Sequence, residues 1–452
     1  MRALIACLML CAAAASAFAA DPEGDVALWV GCARSGETLL ENRADAPMNP
    51  ASTMKLVTAF AALDTLGPDY RWKSSLRSDA PLTGGVLQGD LWWVGEGDPA
   101  FDVAALDALL DGLRLRGIRA VSGELLLDRS AFARIAGADG FERDAQRVFT
   151  VAPDTHLVGH KVAWLHFYND GAGARAALVP ALPGVTLKAS LSDAGETGGA
   201  CGDVRRFVSI TSEGDTLSVS GELPRACDGA SRFVNLLSAP AFAAQAFAAR
   251  WARLDGQGAA FGGERPAPAG ARVLAEHLSP PLSQVLVSTN FHSNNTMARA
   301  VYLTLGRAHP HGAGKVAGAE AALRASLARH GVDTRTLVLE NGAGFSRRER
   351  VSARALGQLL SAAWLAPFAP EFVASVPAAG RDGTLEKRLA AWGPRLRLKT
   401  GTLDGVSALA GYWLAPDGEP LVLVAIANGD GVSAARIDAV VDAALRQVHA
   451  AP

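Results

Sequence analysis

The stretch Asn49-Pro50-Ala51-Ser52-Thr53-Met54-Lys55-Leu56-Val57-Thr58 decides how the chain is read. It sets a serine and a lysine three residues apart at the head of an apolar, alanine-rich segment with a helical pattern. On a helix, residues i and i+3 share a face about one turn apart, so the Lys55 amine can reach the Ser52 hydroxyl. A serine needs a neighbouring base to become a nucleophile, and a lysine is such a base once it gives up its proton. For Lys55 that means a fall from about 10.4 towards 7, about 5 kcal/mol of differential stabilisation. Burial and a second nearby cation both push in that direction. Alone, the spacing is common, and its weight depends on what lies downstream.

Two short signatures follow it. Ser293-Asn294-Asn295 is an S-x-N at the head of the helical run Asn295–Leu305. Ser288-Thr289-Asn290 is a rival with the same spacing; Ser293 is preferred because Asn295 opens the cleaner helical pattern. Lys399-Thr400-Gly401-Thr402 follows the alternating Arg395–Leu398 and therefore falls on a strand, where a glycine lets a substrate backbone come close. S-x-x-K, S-x-N and K-T-G in this order form a set of the kind found in class A β-lactamases and penicillin-binding proteins.

On these residues the chain resembles the low-molecular-mass class C penicillin-binding proteins of the penicillin-binding protein 4 type, exported D-alanyl-D-alanine carboxypeptidases and endopeptidases of peptidoglycan. The resemblance extends to Gly95-x-Gly97-Asp98-Pro99, Ala152-Pro153-Asp154-x-x-Leu157-Val158, Asn341-Gly342-x-Gly344-x-Ser346-Arg347 and Ala379-Gly380-x-Asp382-Gly383-Thr384-Leu385. The long gap between Ser52 and Ser293 separates this family from β-lactamases and single-domain carboxypeptidases. The resemblance implies a multi-domain α+β protein. A transpeptidase/β-lactamase-like catalytic domain, an antiparallel sheet flanked by helices, takes residues 21–73 and 265–452. One strand-rich insert takes 74–97 and 165–264, and a second, inside it, takes 98–164.

The same resemblance implies the roles. Ser52 is the nucleophile, Lys55 its base, and Lys399 the cation that keeps Lys55 neutral. Ser293 relays a proton to the leaving amine, and Asn295 holds the acyl-side amide and orients Lys55. Lys399, Thr400 and Thr402 bind the terminal carboxylate, Gly401 lets the substrate backbone approach, and the Ser52 and Thr402 backbone N–H groups form the oxyanion hole. Arg347 and Asp404 line a pocket for the stem-peptide side chain, and Asp154 is a further substrate contact. Substrates are peptides ending in D-Ala-D-Ala, with β-lactams as covalent inhibitors; homo-oligomerisation is left open. Departures from the family pattern are Arg299, where an acidic residue is usual, Phe101 and Phe345 for commoner leucines, and Gly159 and Trp164 in the loop after Asp154.

The rest of the chain fits an exported enzyme. Arg2, the apolar Leu4 to Ala15 and Ala17-Phe18-Ala19 read as a signal peptide over 1–20, cleaved near Ala19 or Ala20 and implying the periplasm. Leu4-Ile5-Ala6-Cys7 fits a lipoprotein box poorly, because no apolar segment precedes it, and no transmembrane anchor is expected. Removal of the signal leaves Cys32, read as a buried thiol, and Cys201 and Cys227, the favoured disulfide pair because they flank one turn-rich stretch. The formal net charge of −2 and pI near 6.5 argue against nucleic acid as a partner. No C-x-x-C spacing occurs, and His156, His160 and His166 alternate with apolar residues as packed side chains do, so neither metal nor cofactor is expected.

A hairpin is predicted over Val26–Ala33 and Thr38–Ala44, with the Ser52 helix ending near Leu66-Gly67-Pro68. Short alternating segments with one helix, Val103 to Arg116, fill about 73 to 270. After Pro280-Pro281 come helices over Leu282–Leu305, Gly318–His330, Ala353–Ala363 and Ala434–Val448, and strands near Leu396–Leu398, Val406–Trp413 and Pro420–Ile426. Two other classes of function compete with the peptidase. One is a β-lactamase-like hydrolase, disfavoured because no extra carboxylate is evident to activate the deacylating water. The other is a non-catalytic penicillin-binding scaffold, disfavoured by the intact set of reactive groups.

Overall fold

The computed structural model describes residues 25–135, 141, 147–196, 200–308 and 314–450, so the signal segment expected over 1–20 lies outside the described residues. The chain divides into two compact units, one holding the chain up to Tyr70, Phe141 and everything from Pro280, the other running from Arg71 to Ser279 apart from the short segment around Phe141.

The first unit is built on a five-stranded antiparallel sheet. Its strands are β1 (Val26–Cys32), β2 (Thr38–Asn42), β3 (Leu396–Leu403), β4 (Val406–Leu414) and β5 (Pro420–Asn428), in the spatial order β3-β4-β5-β1-β2. Central β5 reads Pro-Leu-Val-Leu-Val-Ala-Ile-Ala-Asn, apolar without alternation, because both its faces are covered. Leu421, Leu423, Ala425 and Ala427 pack with Ile437, Val441, Ala444 and Leu445 of the C-terminal helix Ala434–Ala450. The opposite face of β1 and β5 meets the helix Ala353–Leu365, where Gly357 leaves room for the Trp29 indole: a Cβ there would lie 2.2 Å from the ring.

On that helical side α1 (Met54–Leu66) is buried from Met54 to Leu63, and Lys55 and Thr58 are buried within it. It packs among α2 (Leu282–Phe291), α3 (Asn295–Ala308), Val316–Arg329 and Ala353–Leu365. A helix surrounded on all sides reads apolar all round, as this one does. It ends at Gly67 with φ 82°, as the Gly-Pro pair predicted.

Two expectations need correction here. Leu282–Leu305 is not one helix: α2 stops at Phe291 and α3 starts at Asn295, with Ser293 between them at φ 52°. A continuous apolar pattern hid that break because it is a single residue's backbone choice. Residues 265–279 also belong to the second unit, since the strand Arg272–Leu278 pairs antiparallel with Lys73–Ser78.

The second unit is nested differently from the expected 74–97 and 165–264 enclosing 98–164. The strand Ala120–Asp128 lies inside a seven-stranded sheet, parallel to Leu91–Gly95 and to Gln257–Glu264, so 98–128 belongs with its flanks. Within the same unit, about 163–234 forms two three-stranded sheets, Ser231–Val234 with Ala163–Asn169 and Ala174–Val179, and Thr186–Asp193 with Thr216–Leu223 and Val208–Glu213, and its Leu165, Phe167, Val208 and Leu217 share one core with Leu76, Leu106 and Leu125. Parallel pairing across long connections leaves no local trace in the sequence. Cys201 and Cys227 form a disulfide, and Cys32 is a buried thiol whose Sγ donates to Glu419 Oε1 at 3.0 Å. His156 and His160 precede the strand rather than lying on it and bond to the Trp93 and Pro99 carbonyls. Among the described residues no group of His, Cys, Asp and Glu is placed to hold a metal, and no helix is long and apolar enough to cross a membrane.

Leu423 sits in the central strand with none of its surface exposed. Leu423→Ala is therefore expected to cost about 2–5 kcal/mol, read as a lower denaturant midpoint for the transition of the first unit monitored by Trp29 and Trp413 fluorescence.

Candidate active site

Ser52 lies on a single 3-10 turn, Ala51–Thr53, that runs directly into α1. The turn is held from three sides. Asn49 accepts the Ala51 N–H at 2.9 Å, donates to the Ser346 carbonyl at 2.9 Å, and has its own N–H and C=O clamped by the Asn428 amide at 2.7 and 3.0 Å. Ala51 itself is held at φ 43°, a left-handed conformation that a non-glycine residue keeps only when its surroundings enforce it. Ser52 stays partly exposed while Ala51 and Thr53 are buried.

The Lys55 Nζ is buried and meets three oxygens: Ser52 Oγ at 2.9 Å, Asn295 Oδ1 at 2.7 Å and the Ala343 carbonyl at 2.6 Å. The last two can only accept, whereas the hydroxyl can also donate. A neutral Lys55 thus uses its two N–H groups on Asn295 and Ala343 and turns its lone pair towards the Ser52 proton. Burial, and then the charge of Lys399, hold the Lys55 amine well below the usual lysine range, against an opposing pull from Glu349.

Lys399, on β3, is also fully buried; its Nζ donates to Ser293 Oγ at 2.8 Å and to the Thr400 carbonyl at 2.7 Å. Burial pushes its amine down to about 7. The left-handed Ser293 that breaks the helix thereby aims its hydroxyl at Lys399 while Asn295, two residues on, aims its amide at Lys55. The rival Ser288-Thr289-Asn290 points elsewhere: Asn290 donates to Ser375 Oγ and Ser288 faces the Met297 sulfur.

Strand β3 is the edge of its sheet. The Leu398 N–H donates away from β4, to the Pro377 carbonyl. Alternate N–H groups on a strand point the same way, so those of Thr400 and Thr402 face the open side too. On one face of the strand a Cβ at Gly401 would lie 2.6 Å from the Pro50 carbonyl and 3.1 Å from the Ser52 nitrogen. The strand and the serine turn are therefore in backbone contact, and only glycine fits between them. Thr400 Oγ1 is fixed by a 2.8 Å hydrogen bond to Thr384 Oγ1, and the Thr402 side chain is exposed.

The remaining expected contacts are placed as follows. Arg347 and Asp404 pair with each other at 3.2 Å, Asp404 fully exposed, and the Arg347 guanidinium lies 5.1 Å from the Phe141 ring centre. Asp154 belongs to the second unit, where its carboxylate is bound by Arg129 and accepts the His156 N–H. Sequence reasoning missed Phe141, which stacks on Phe345 with ring centres 3.8 Å apart, and Glu349, which sits in the charged run Arg347-Arg348-Glu349-Arg350 but is wholly buried. Arg299 is buried on α3, within electrostatic reach of Glu349 and Glu340, and burial pushes it down to about 10.

Residues 11–448 match the Peptidase S13 family, described as the D-Ala-D-Ala carboxypeptidase 3 family. The chain belongs to this family. With it, the chain belongs to the low-molecular-mass class C penicillin-binding proteins and is a serine-peptidase hydrolase. It is 32% identical over 419 residues to a D-alanyl-D-alanine carboxypeptidase of Actinomadura sp. strain R39, covering 87% of this chain and 76% of that one. Penicillin-binding protein 4 of Haemophilus influenzae has the same fold, with a TM-score of 0.74 at 23% identity over 91% of this chain and 92% of that one. The same Haemophilus protein, in a crystal structure complexed with a β-lactam, gives a TM-score of 0.71 at 22% identity and the same coverage.

The contact between Gly344 and the serine turn gives a test of this geometry. Gly344 has φ 73°, and a Cβ there would lie 1.7 Å from the Ala51 carbonyl. Gly344→Ala must push the turn aside, and a displacement of about 1 Å costs about a hundredfold in rate. The expected result is a loss of that order in the rate of β-lactam acylation, measured by intact-protein mass, with the far-ultraviolet circular dichroism of the fold retained.

Proposed function

We propose that the chain is an exported, periplasmic D-alanyl-D-alanine carboxypeptidase and DD-endopeptidase of peptidoglycan, working through a Ser52 acyl-enzyme. The observation that carries this reading is the Lys55 amine, buried beside a second buried lysine and 2.9 Å from the Ser52 hydroxyl.

Ser52 Oγ attacks the carbonyl of the penultimate D-alanine as its proton passes to Lys55. The negative charge on the carbonyl oxygen is taken by the Ser52 and Thr402 N–H groups, where one donor is worth about 3–4 kcal/mol. The C–N bond then breaks. Ser293, bonded to Lys399, relays a proton to the departing amine, and Lys55 returns the Ser52 proton to that relay. Water attacks the Ser52 ester with Lys55 again as base, releasing the shortened peptide. Asn295 holds Lys55 and the acyl-side amide. Lys399, Thr400 and Thr402 receive the terminal carboxylate, and Arg347 with Asp404 borders the side-chain pocket.

A β-lactam presents the same amide and carboxylate in one ring, so its acyl product remains on Ser52. The β-lactam complex of the Haemophilus relative supports β-lactam binding. The endopeptidase activity follows if the leaving amine belongs to a cross-linked stem peptide instead of free D-alanine; the bond cleaved is the same.

The test is mass spectrometry of a muropeptide mixture containing pentapeptide monomers and D-Ala-linked dimers, incubated with the mature protein or with Ser52→Ala. Native protein is expected to remove terminal D-alanine and convert dimers to monomers, and Ser52→Ala to do neither. Unchanged muropeptides with native protein would instead favour the non-catalytic scaffold.

A further inference from the structure

The segment Glu340-Asn341-Gly342-Ala343-Gly344-Phe345-Ser346-Arg347-Arg348-Glu349 closes on its own last residue. Gly342 and Gly344 take φ 68° and 73°, which turns successive N–H groups to one side. There they converge on the buried Glu349 carboxylate. Its Oε1 accepts from the N–H groups of Glu340, Asn341 and Gly342 at 3.0, 2.9 and 2.9 Å, and its Oε2 accepts from Gly344 at 2.9 Å. Four donors and no acceptor is the surrounding of an ionised carboxylate, a backbone nest filled by a side chain. Burial pushes the Glu349 carboxyl upward, and these four N–H groups oppose it.

With the N–H groups turned inward, the carbonyls of the same segment face α1. Ala343 C=O accepts from Lys55 Nζ at 2.6 Å and Gly342 C=O accepts from Thr58 Oγ1 at 2.6 Å, while Gly344 lies against the Ala51 carbonyl. We infer that Glu349 is a positioning residue for the reaction: its carboxylate holds the 340–349 loop in the one shape that presents the Ala343 carbonyl to Lys55 and braces the turn carrying Ser52. It touches neither substrate nor the reacting atoms. The inference rests on the reading of Lys55 as the base for Ser52.

A glutamine cannot stand in. Both oxygens of Glu349 accept, so an amide in the same place turns its NH2 either onto the Gly344 N–H or onto the other three. The charge has a second effect. The charged and titratable groups in electrostatic contact with Lys55 are Lys399, which lowers it, and Glu349, which raises it. Those facing Glu349 from α3 are Arg299 and Tyr302. Removing the Glu349 charge therefore lets Lys55 lose its proton at lower pH, while the loosened loop slows the reaction.

The experiment is the acylation rate by benzylpenicillin, from intact-protein mass, across the neutral pH range for native protein, Glu349→Gln, Thr58→Val and Ser52→Ala. Glu349→Gln is expected to acylate about tenfold to a hundredfold more slowly, with the acidic limb of its profile moved to lower pH. A merely structural defect would lower the rate without moving the limb. Thr58→Val removes the second anchor of the loop without touching a charge, and is expected to slow acylation severalfold with the limb unmoved. Glu349→Gln with the native rate and limb overturns the inference. If Glu349→Gln fails to fold, Thr58→Val decides, and a native rate there overturns it. Ser52→Ala separates the two levels: adduct persisting in that variant sinks the underlying reading of Ser52 and Lys55, whereas loss of adduct leaves Glu349 to be decided by the other variants.

Discussion

The site depends on two lysine amines buried within electrostatic reach of each other. Each taken alone would be costly, since burying a cation disfavours the charged form. Together they divide the charge: burial and the Lys399 charge favour the neutral form of Lys55, while Lys399 itself is brought down to about 7. In the proposed mechanism, a substrate carboxylate arriving at Lys399 favours its charged form, which in turn favours the neutral form of Lys55. On that mechanism, binding the right end of the substrate prepares the base for the serine.

Much of the first unit serves that burial. The α1 helix is enclosed on every side, the glycines at 344 and 401 let two backbone segments close over the serine turn, and the break at Ser293 brings two nearby side chains to two different lysines. A straight helix through 282–305 would have spread Ser293 and Asn295 round its axis, since residues two apart do not share a face. The left-handed residue is what lets S-x-N serve both lysines.

The meeting of Ser52 with Lys55 was legible because the pair is a local spacing on a local element. The terminal strands were legible because β4 and β5 are long apolar runs with turns at either end. Glu349 was not legible: a charge inside Arg347-Arg348-Glu349-Arg350 looks solvated, and only the turns at Gly342 and Gly344 gather four N–H groups around it. The nesting of the second unit was hidden for a related reason. Ala120–Asp128 ends in the consecutive buried Leu125-Leu126-Leu127, and its place between Leu91–Gly95 and Gln257–Glu264 is set by partners far along the chain. Phe141 was invisible too, because its partner Phe345 lies some two hundred residues away and nothing near it in sequence marks it as belonging to the first unit.

Lys399 helps keep Lys55 unprotonated, and the direct measurement of this is the pH dependence of benzylpenicillin acylation in native protein and in Lys399→Met. In the proposed mechanism acylation requires neutral Lys55, so the native rate is expected to rise with pH through the depressed Lys55 titration. It falls again as pH passes about 7, where Lys399 loses the charge that receives the carboxylate. Lys399→Met removes the positive neighbour, so the Lys55 titration moves up and the acidic limb shifts to higher pH, with the fall near neutrality gone. An acidic limb unmoved by the substitution would contradict the account, because Lys55 would then owe nothing to its buried neighbour.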